Sequence, residues 1–378
     1  MTARRWSGAA ALTGALAAAL LCMSGCQLLG LPGAGPTTPR ATAEPGVDVA
    51  PPLDCAAFTA TPAVEALLGG SAPLASTPAD ALATPAARGP FGAQAAGGGW
   101  CRWGDDPAAS AAAPANATPA PVHLLSVQVL PRATASWQRL AQQYPETAAN
   151  GAHYDGGESR GGDCGHAASG AGSSCHTNVL VGGSWLAVDA VSTTSTIDET
   201  AFHALVQSFV PTVATIDARS AMATPAPAKT LSCGDPAWLK AVAGVYGPPS
   251  VATLDTAQSF GVQSALLDVP GAAVCAYRAS GDAGSSLIGT VSVVRDAATA
   301  YATYRGLVVD RDADASGSTL QVGGTEVAAL VRHTDAVGST PAETVVDALV
   351  GDAWIQFAAV SGSADEASSV VEWVAGRL

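Results

Sequence analysis

Residues 180–192 read LVGGSWLAVDAVS and residues 349–361 read LVGDAWIQFAAVS, so one pattern occurs in both halves of the chain. Seven of the thirteen positions are identical without a gap. In each stretch a two-residue turn, Gly-Gly or Gly-Asp, separates two runs of β-prone residues. Such turns favour the tight connection of an antiparallel hairpin. The pattern therefore predicts one β-hairpin in each half.

The second strand of each hairpin has two distinct faces, because successive side chains of a strand point to opposite sides. Leu186, Val188 and Ala190 form the predicted core face of the first hairpin, and Ile355, Phe357 and Ala359 form that of the second. The opposite face carries Trp185 and Asp189 in the first hairpin, and Trp354 and Gln356 in the second. A tryptophan there is either covered by a helix or exposed as a contact, and we expect a helix to cover it.

The similarity between the halves extends beyond the hairpins. VQVL at 127–130 matches VSVV at 291–294, and each leads into a helical pattern with Trp137 or Tyr301 at the same offset. Each half also opens with a cysteine before apolar helical spacing and closes with an amphipathic helix. The order predicts an α+β fold, with two tandem copies of an antiparallel sheet and helices packed on one face of each.

The predicted boundaries follow from this repeat. The first copy spans 52–218, and the second spans 231–378. Residues 219–230 form a predicted linker, because Pro225 and Pro227 interrupt any regular structure there.

The N-terminus predicts export. Arg4 and Arg5 precede a short run of alanine and leucine, which is the pattern of a secretory signal peptide over 1–25. Met23-Ser24-Gly25-Cys26 resembles the lipobox of bacterial lipoproteins; the alternative is an ordinary signal peptide with an incidental cysteine. The resemblance implies that the Cys26 thiol receives a diacylglyceryl group after cleavage. Residues 26–51, rich in Pro, Gly, Ala and Thr, then form a disordered tether.

The remaining cysteines predict three disulfide bonds, because six are left in an oxidising compartment once Cys22 is cleaved off and Cys26 is lipidated. Six cysteines allow 15 pairings. The repeat narrows them, since one cysteine opens each half and one lies in a strand rich in aromatic residues. The predicted pairs are Cys55 with Cys101, Cys233 with Cys275 and, by remainder, Cys164 with Cys175.

A helix-opening cysteine, a cysteine in an aromatic strand, a hairpin and a terminal helix, all behind a lipobox, resemble a group of actinobacterial lipoproteins. The pattern is also similar to the disulfide-pinned extracellular sensor domain of a mycobacterial receptor-type Ser/Thr kinase. The resemblance covers most of each copy. It implies the same fold and a location on the outer face of the cell membrane. It does not assign a catalytic role to any residue of this chain.

The formal charge of −14, from 31 acidic and 17 basic residues, excludes a general nucleic-acid-binding role, because phosphate recognition needs basic patches. Phosphate-binding loops are absent from the sequence, and no cofactor is predicted. The membrane is an expected partner only through the lipid on Cys26.

One short segment offers a metal site as an alternative to a disulfide. Cys164, His166, Cys175 and His176 supply two thiols and two imidazoles, which are the ligands that zinc prefers. We expect the disulfide instead, because export places the cysteines where thiols are oxidised.

The function classes rank as follows. A lipid-anchored ligand-binding or sensor-like module fits the tethered, disulfide-pinned build best, with the ligand unidentified. A structural or accessory envelope protein that works through protein contacts is the alternative. An enzyme is the least favoured class, because neither a G-x-S-x-G elbow nor an S-x-x-K motif is present.

Overall fold

The computed structural model describes residues 53–58, 61–68, 74–75, 85–104, 123–166, 172–222, 231–253, 259–280, 286–312, 315–334, 342–360 and 362–378. The predicted signal peptide, Cys26, the tether and the linker beyond Met222 lie outside these residues. No helix among the described residues combines the length and the apolarity that crossing a bilayer requires.

Two antiparallel sheets form the framework, as the α+β prediction requires. The first has the order β1-β2-β3-β6-β5-β4. Its strands are β1 (Leu74–Ala75), β2 (Gly99–Gly104), β3 (His123–Leu130), β4 (Glu158–His166), β5 (Ser173–Val181) and β6 (Ser184–Ser192). The second has the order β10-β11-β12-β13-β9-β8-β7. Its strands are β7 (Pro249–Thr253), β8 (Ala272–Ala279), β9 (Leu287–Val294), β10 (Ser316–Val322), β11 (Thr325–Thr334), β12 (Glu343–Val350) and β13 (Ala353–Ala359).

The two sheets have the same arrangement. Read from the other edge, the first runs β4-β5-β6-β3-β2-β1, which matches β11-β12-β13-β9-β8-β7 of the second, and β10 is an additional edge strand. The predicted hairpins are β5–β6 and β12–β13, closed by the pairs Val181–Ser184 and Val350–Ala353. Gly182 and Gly351 each have a positive φ, of 61° and 64°, which a tight turn needs and glycine adopts without strain. Both hairpin predictions are confirmed.

Eight α-helices are described: α1 (Thr61–Leu68), α2 (Pro90–Ala95), α3 (Thr134–Gln143), α4 (Glu199–Met222), α5 (Pro236–Tyr246), α6 (Val262–Ala265), α7 (Ala298–Arg311) and α8 (Ala364–Ala375). Three 3₁₀ turns, Cys55–Phe58, Pro145–Asn150 and Leu266–Asp268, complete the regular structure of these residues. α4 continues to Met222, inside the predicted linker over 219–230.

The inner face of each sheet carries the core that the sequence predicts. Leu186, Val188 and Ala190 pack with apolar residues of α4, including Phe202, Val206 and Phe209. Ile355, Phe357 and Ala359 pack in the same way with Val370, Val371 and Val374 of α8. The core face of the hairpin was therefore correctly predicted in both halves.

The outer faces carry helices over the two tryptophans, as expected, although the fold prediction placed helices on only one face of each sheet. Trp185 and Trp354 are fully buried there, under α3 in the first half and α7 in the second. Helices therefore pack on both faces of each sheet. The reason is that Trp185 and Trp354 are large, mostly apolar side chains on the outer face and must also be removed from water.

The two halves exchange aromatic side chains across their outer faces. Phe91, in α2 of the first half, packs edge-on against Tyr304 and Trp354 of the second, with ring centroids 5.3 and 5.8 Å apart. Phe260, just before α6 of the second half, packs against Trp137 and Trp185 of the first, at 4.9 and 4.8 Å. Two of the apolar clusters therefore contain residues of both halves.

Polar contacts accompany this exchange. The backbone N–H groups of Ala86 and Ala87 donate to Gln356 Oε1 and Ser292 Oγ of the second sheet, at 3.0 and 2.8 Å. Arg139 Nε donates to Asp268 Oδ2 at 3.0 Å from the other side. The described residues of the two halves belong to one compact unit.

All three disulfide bonds form with the predicted partners. Cys55–Cys101 and Cys233–Cys275 each tie the segment that opens a half to the strand next to one edge of its sheet, β2 or β8. Cys164 and Cys175 lie directly opposite each other on β4 and β5.

Candidate functional site

The residues of the zinc alternative do not form a zinc site. The Cys164 and Cys175 sulfurs are bonded to each other, so neither is a thiolate ligand. His166 is exposed at the end of β4, and His176 pairs with Asp163 instead. Within the described residues, no group of three or more His, Cys, Asp or Glu side chains has the arrangement of a metal site. The disulfide is what the structure shows at this position.

A row of polar side chains crosses the outer face of the first sheet. Arg102, Ser126, Asp189, His176 and Asp163 are paired in register across β2, β3, β6, β5 and β4. We call these five residues the polar row. Cross-strand neighbours lie close enough to interact directly, so the row places a cation, a hydroxyl, two carboxylates and an imidazole on one line.

The row is exposed at one end and buried at the other. His176 Nδ1 lies 3.1 Å from Asp163 Oδ1, and these side chains are 49% and 67% exposed. Arg102 and Ser126 are buried. The indole N–H of Trp100 donates to the Ser126 hydroxyl, and Arg102 Cζ lies 5.8 Å from the centroid of the Trp100 ring. The exposed end gives a ligand access, and the buried end fixes the geometry.

Asp189 is the central group of the row. Burial raises the pKa of its carboxyl, while the charges of His176 and Arg102 oppose the rise. Asp189 is only partly buried, and its oxygens are not among the buried polar atoms of the described residues that lack a partner. The carboxylate therefore lies between the buried end and the exposed end of the row.

The corresponding row of the second sheet has a different character. By register it consists of Ala276, Thr290, Ala358, Val345 and Arg332. Three of the five are apolar, and neither a carboxylate nor an imidazole is among them. The polar row is thus a property of the first half, although both halves share the strand order.

The second half buries its own carboxylate two residues along β12, on the same face, and that carboxylate accepts several hydrogen bonds. Asp347 is fully buried and accepts hydrogen bonds from Trp354 Nε1, Gln356 Nε2 and the Tyr304 hydroxyl, at 2.9, 2.9 and 2.6 Å. Arg332 Nε in turn donates to the Tyr304 oxygen at 2.9 Å. Such a closed network stabilises a fold and leaves no acceptor for a ligand.

Two contacts resemble parts of catalytic relays. Ser192 Oγ lies 3.0 Å from His123 Nδ1, but it also accepts the backbone N–H of Ser195, which is the geometry of a turn. Tyr154 OH lies 2.6 Å from His203 Nδ1. Burial raises the pKa of this tyrosine, so its hydroxyl is a poor nucleophile. Both contacts have a structural explanation.

A groove lies between α5 and α8 on the second half, with a cavity volume of about 530 Å³. It is lined by Lys240, Ala241, Ala243, Gly244, Val245, Ser369 and Trp373. Trp373 is 42% exposed and is the large exposed hydrophobic side chain of the described residues. The volume is in the range of small-ligand pockets, and an exposed tryptophan is typical of contact surfaces.

Sequence reasoning found His176 but not its neighbours in the row, because the row exists only once the register of five strands is known. Asp189 was placed on the outer face, but nothing in the sequence indicates which residues flank it on the neighbouring strands. Trp373 offered a usable signal, since it falls beside the apolar face of its helix rather than on it.

Comparison of the chain with protein-family models, with curated proteins and with solved structures finds no match.

Proposed function

We propose that the chain is a lipid-anchored, extracytoplasmic binding module, and that the polar row is its ligand site. The observation that carries the proposal is the polar row itself, in which Asp189, a partly buried carboxylate with a raised pKa, lies between Ser126 and His176. A ligand that supplies N–H or O–H donors can hydrogen-bond to this carboxylate. His176 and Asp163, at the exposed end, provide further hydrogen-bonding groups.

The ligand class follows from the groups on the row. Two carboxylates and an imidazole accept hydrogen bonds, and Arg102 supplies a cation at the buried end. A small molecule with several hydroxyl or amino groups matches this set. The second sheet lacks the row, so one ligand per chain is expected.

The anchor belongs to the same proposal. The likeness of Met23 to Cys26 to a lipobox supports lipidation of Cys26, and the tether over 26–51 would hold the binding module away from the bilayer. Cys26→Ser should move the protein from the detergent phase to the aqueous phase in detergent partitioning. Equal partitioning of the unchanged protein and the Cys26→Ser variant would contradict lipidation of Cys26.

The binding site is tested by thermal shift of the full chain against sugars, polyols and amino acids. A ligand at a hundred times its Kd stabilises the folded state by about 2.7 kcal/mol, which a melting curve resolves. Asp189→Asn should abolish the shift, because an amide is a weaker acceptor and carries no charge. Asp155→Asn is the matched control, since this exposed carboxylate of the first half lies outside the row.

The same experiment separates the alternatives. A shift that persists in Asp189→Asn would place the ligand elsewhere on the molecule. No shift with any compound, together with recovery of a stable partner protein, would favour the structural or accessory role. The exposed Trp373 groove is the observation in favour of that second role.

A further inference from the structure

The groove between α5 and α8 presents a surface with features that the first half lacks. Trp373 projects at its rim, and Lys240 Nζ and Arg377 Cζ lie 5.5 and 6.0 Å from the centroid of its ring. Both distances are in the range of a cation–π contact. The surface therefore combines a large apolar side chain with two positive charges.

The corresponding position in the first half carries no such feature. Asp198 caps α4 as Ser363 caps α8, and counting from these caps aligns Trp373 with Ser208. The Ser208 hydroxyl donates to the Leu205 carbonyl of its own helix at 2.6 Å. The shared fold thus does not require a tryptophan here, and burial does not explain it either.

The wall of the groove allows a partner to approach closely. Gly244 lies on α5, and a Cβ placed on it would meet nothing within 4 Å. Ala243 beside it is also small. A wall of small residues next to a protruding aromatic side chain suits the entry of a partner's side chains, as in helix-in-groove recognition.

The charge of the surface is opposite to that of the chain. The protein carries a formal charge of −14 and only two lysines, yet Lys240 is the charged residue that lines the groove. Glu372 is close in sequence, but its Oε1 accepts the backbone N–H of Gln321 on β10. That carboxylate is therefore engaged away from the groove, and the local positive charge favours an acidic partner.

We propose that this groove docks an acidic peptide segment of a partner protein, with Trp373 as the anchor and Lys240 as the charge contact. The Lys240 ammonium already lies against the ring, so a peptide carboxylate pairs with it in place. A sugar ring that stacked on Trp373 would first have to displace this ammonium. The peptide is therefore the occupant that the geometry favours.

The test measures fluorescence anisotropy of a labelled amphipathic peptide with glutamate and leucine at helical spacing, titrated with the full chain. A second peptide has glutamine at every glutamate position. The glutamate peptide should bind at least tenfold more tightly. Trp373→Ala and Lys240→Glu should each weaken its binding at least tenfold, with unchanged circular dichroism, because both side chains lie on the surface.

Arg278→Glu is the matched control, since it makes the same change of charge at an exposed position of the second half. It should alter binding less than twofold. Equal loss of peptide affinity in Arg278→Glu and Lys240→Glu would show that the peptide responds only to the overall charge of the protein. That result would overturn the proposed site. Equal affinity for the two peptides would overturn the acidic partner.

Vesicles of phosphatidylcholine with phosphatidylglycerol form the last arm. Binding to these vesicles that depends on Lys240 and Trp373, without binding of the glutamate peptide, would assign the surface to lipid and overturn the peptide proposal. Peptide binding at this groove does not depend on the polar row, which lies on the other half of the chain.

Discussion

The two buried tryptophans of the hairpins use different acceptors at the same position. Trp185 Nε1 donates to Asn178 Oδ1, and Trp354 Nε1 donates to Asp347 Oδ1, both at 2.9 Å. The amide is neutral, whereas the carboxyl titrates. Burial raises the pKa of Asp347 despite the nearby Arg332 and the hydrogen bonds that it accepts. Asp347 therefore adds a pH dependence to the stability of the second half that Asn178 does not add to the first.

The sign of this dependence follows from linkage. A carboxyl with a raised pKa binds its proton more tightly in the folded state, so stability falls as pH rises from about 3.9, the unfolded value, through the folded pKa. Asp347→Asn should remove this part of the slope, because Asn178 shows that the site accepts an amide. Urea unfolding at several pH values above about 3.9 measures it, and an unchanged slope in Asp347→Asn would contradict the assignment.

Alanine substitution should change the free energy of unfolding in opposite directions at two glycines. Gly244 lies in α5 with open space at its Cβ position, so Gly244→Ala should stabilise the protein by about 0.5–1 kcal/mol. Gly104 has a φ of 107°, and a Cβ there would overlap the His123 carbonyl. Gly104→Ala should therefore destabilise by at least about 2 kcal/mol. Urea unfolding of both variants checks the pair, and a shift of the same sign in both would contradict it.

At the scale of elements, the disulfides offer a comparison matched for burial. Cys233–Cys275 and Cys164–Cys175 each join a buried cysteine to a partly exposed one, but their sequence separations are 42 and 11. The chain-entropy model gives about 4 kcal/mol for the long loop and about 3 kcal/mol for the short one.

Replacing both cysteines of a pair by serine should therefore cost more for Cys233–Cys275 than for Cys164–Cys175. The free energy of unfolding in urea, compared with the oxidised chain, measures both losses. Equal losses would mean that strain or residual structure in the unfolded chain outweighs loop length.

Elements with local signals were predictable from the sequence. The glycine turns located both hairpins, and alternation located their core faces, because both signals depend only on neighbouring residues. The tryptophans on the polar faces of the hairpins correctly indicated covering helices there, whereas the fold prediction placed helices on one face only, because alternation marks a single apolar face. The extra strand β10 has no counterpart in the first half, so the repeat gave no indication of it.

The exchange of Phe91 and Phe260 between the halves corresponds to a short repeated sequence motif. Residues 91–94 read FGAQ and residues 260–263 read FGVQ, and each motif precedes the cysteine-bearing strand of its half. The motif shows that the two segments are equivalent. It does not show that each packs on the opposite half, because packing across halves depends on the path of the whole chain.

At the scale of the molecule, this exchange determines how the protein unfolds. Phe91 is 2% exposed and lies among residues of the second half, while Phe260 closes the aromatic cluster of the first. Neither outer face is complete without the other half. The two sheets should therefore unfold as one cooperative unit, with a single calorimetric transition whose van't Hoff and calorimetric enthalpies agree.

Phe91→Ala combined with Phe260→Ala should separate that transition into two. Truncating a buried phenylalanine costs about 3–5 kcal/mol, and here the loss falls on the contacts between halves rather than on either inner core. The inner cores retain their own helices and disulfides, so each half should still fold.

Phe202→Ala is the control, because it removes a ring of equal size from one inner core. It should lower the melting temperature without splitting the transition, and a split in the control alone would mean that the inner core of the first half, rather than the exchanged rings, couples the two sheets.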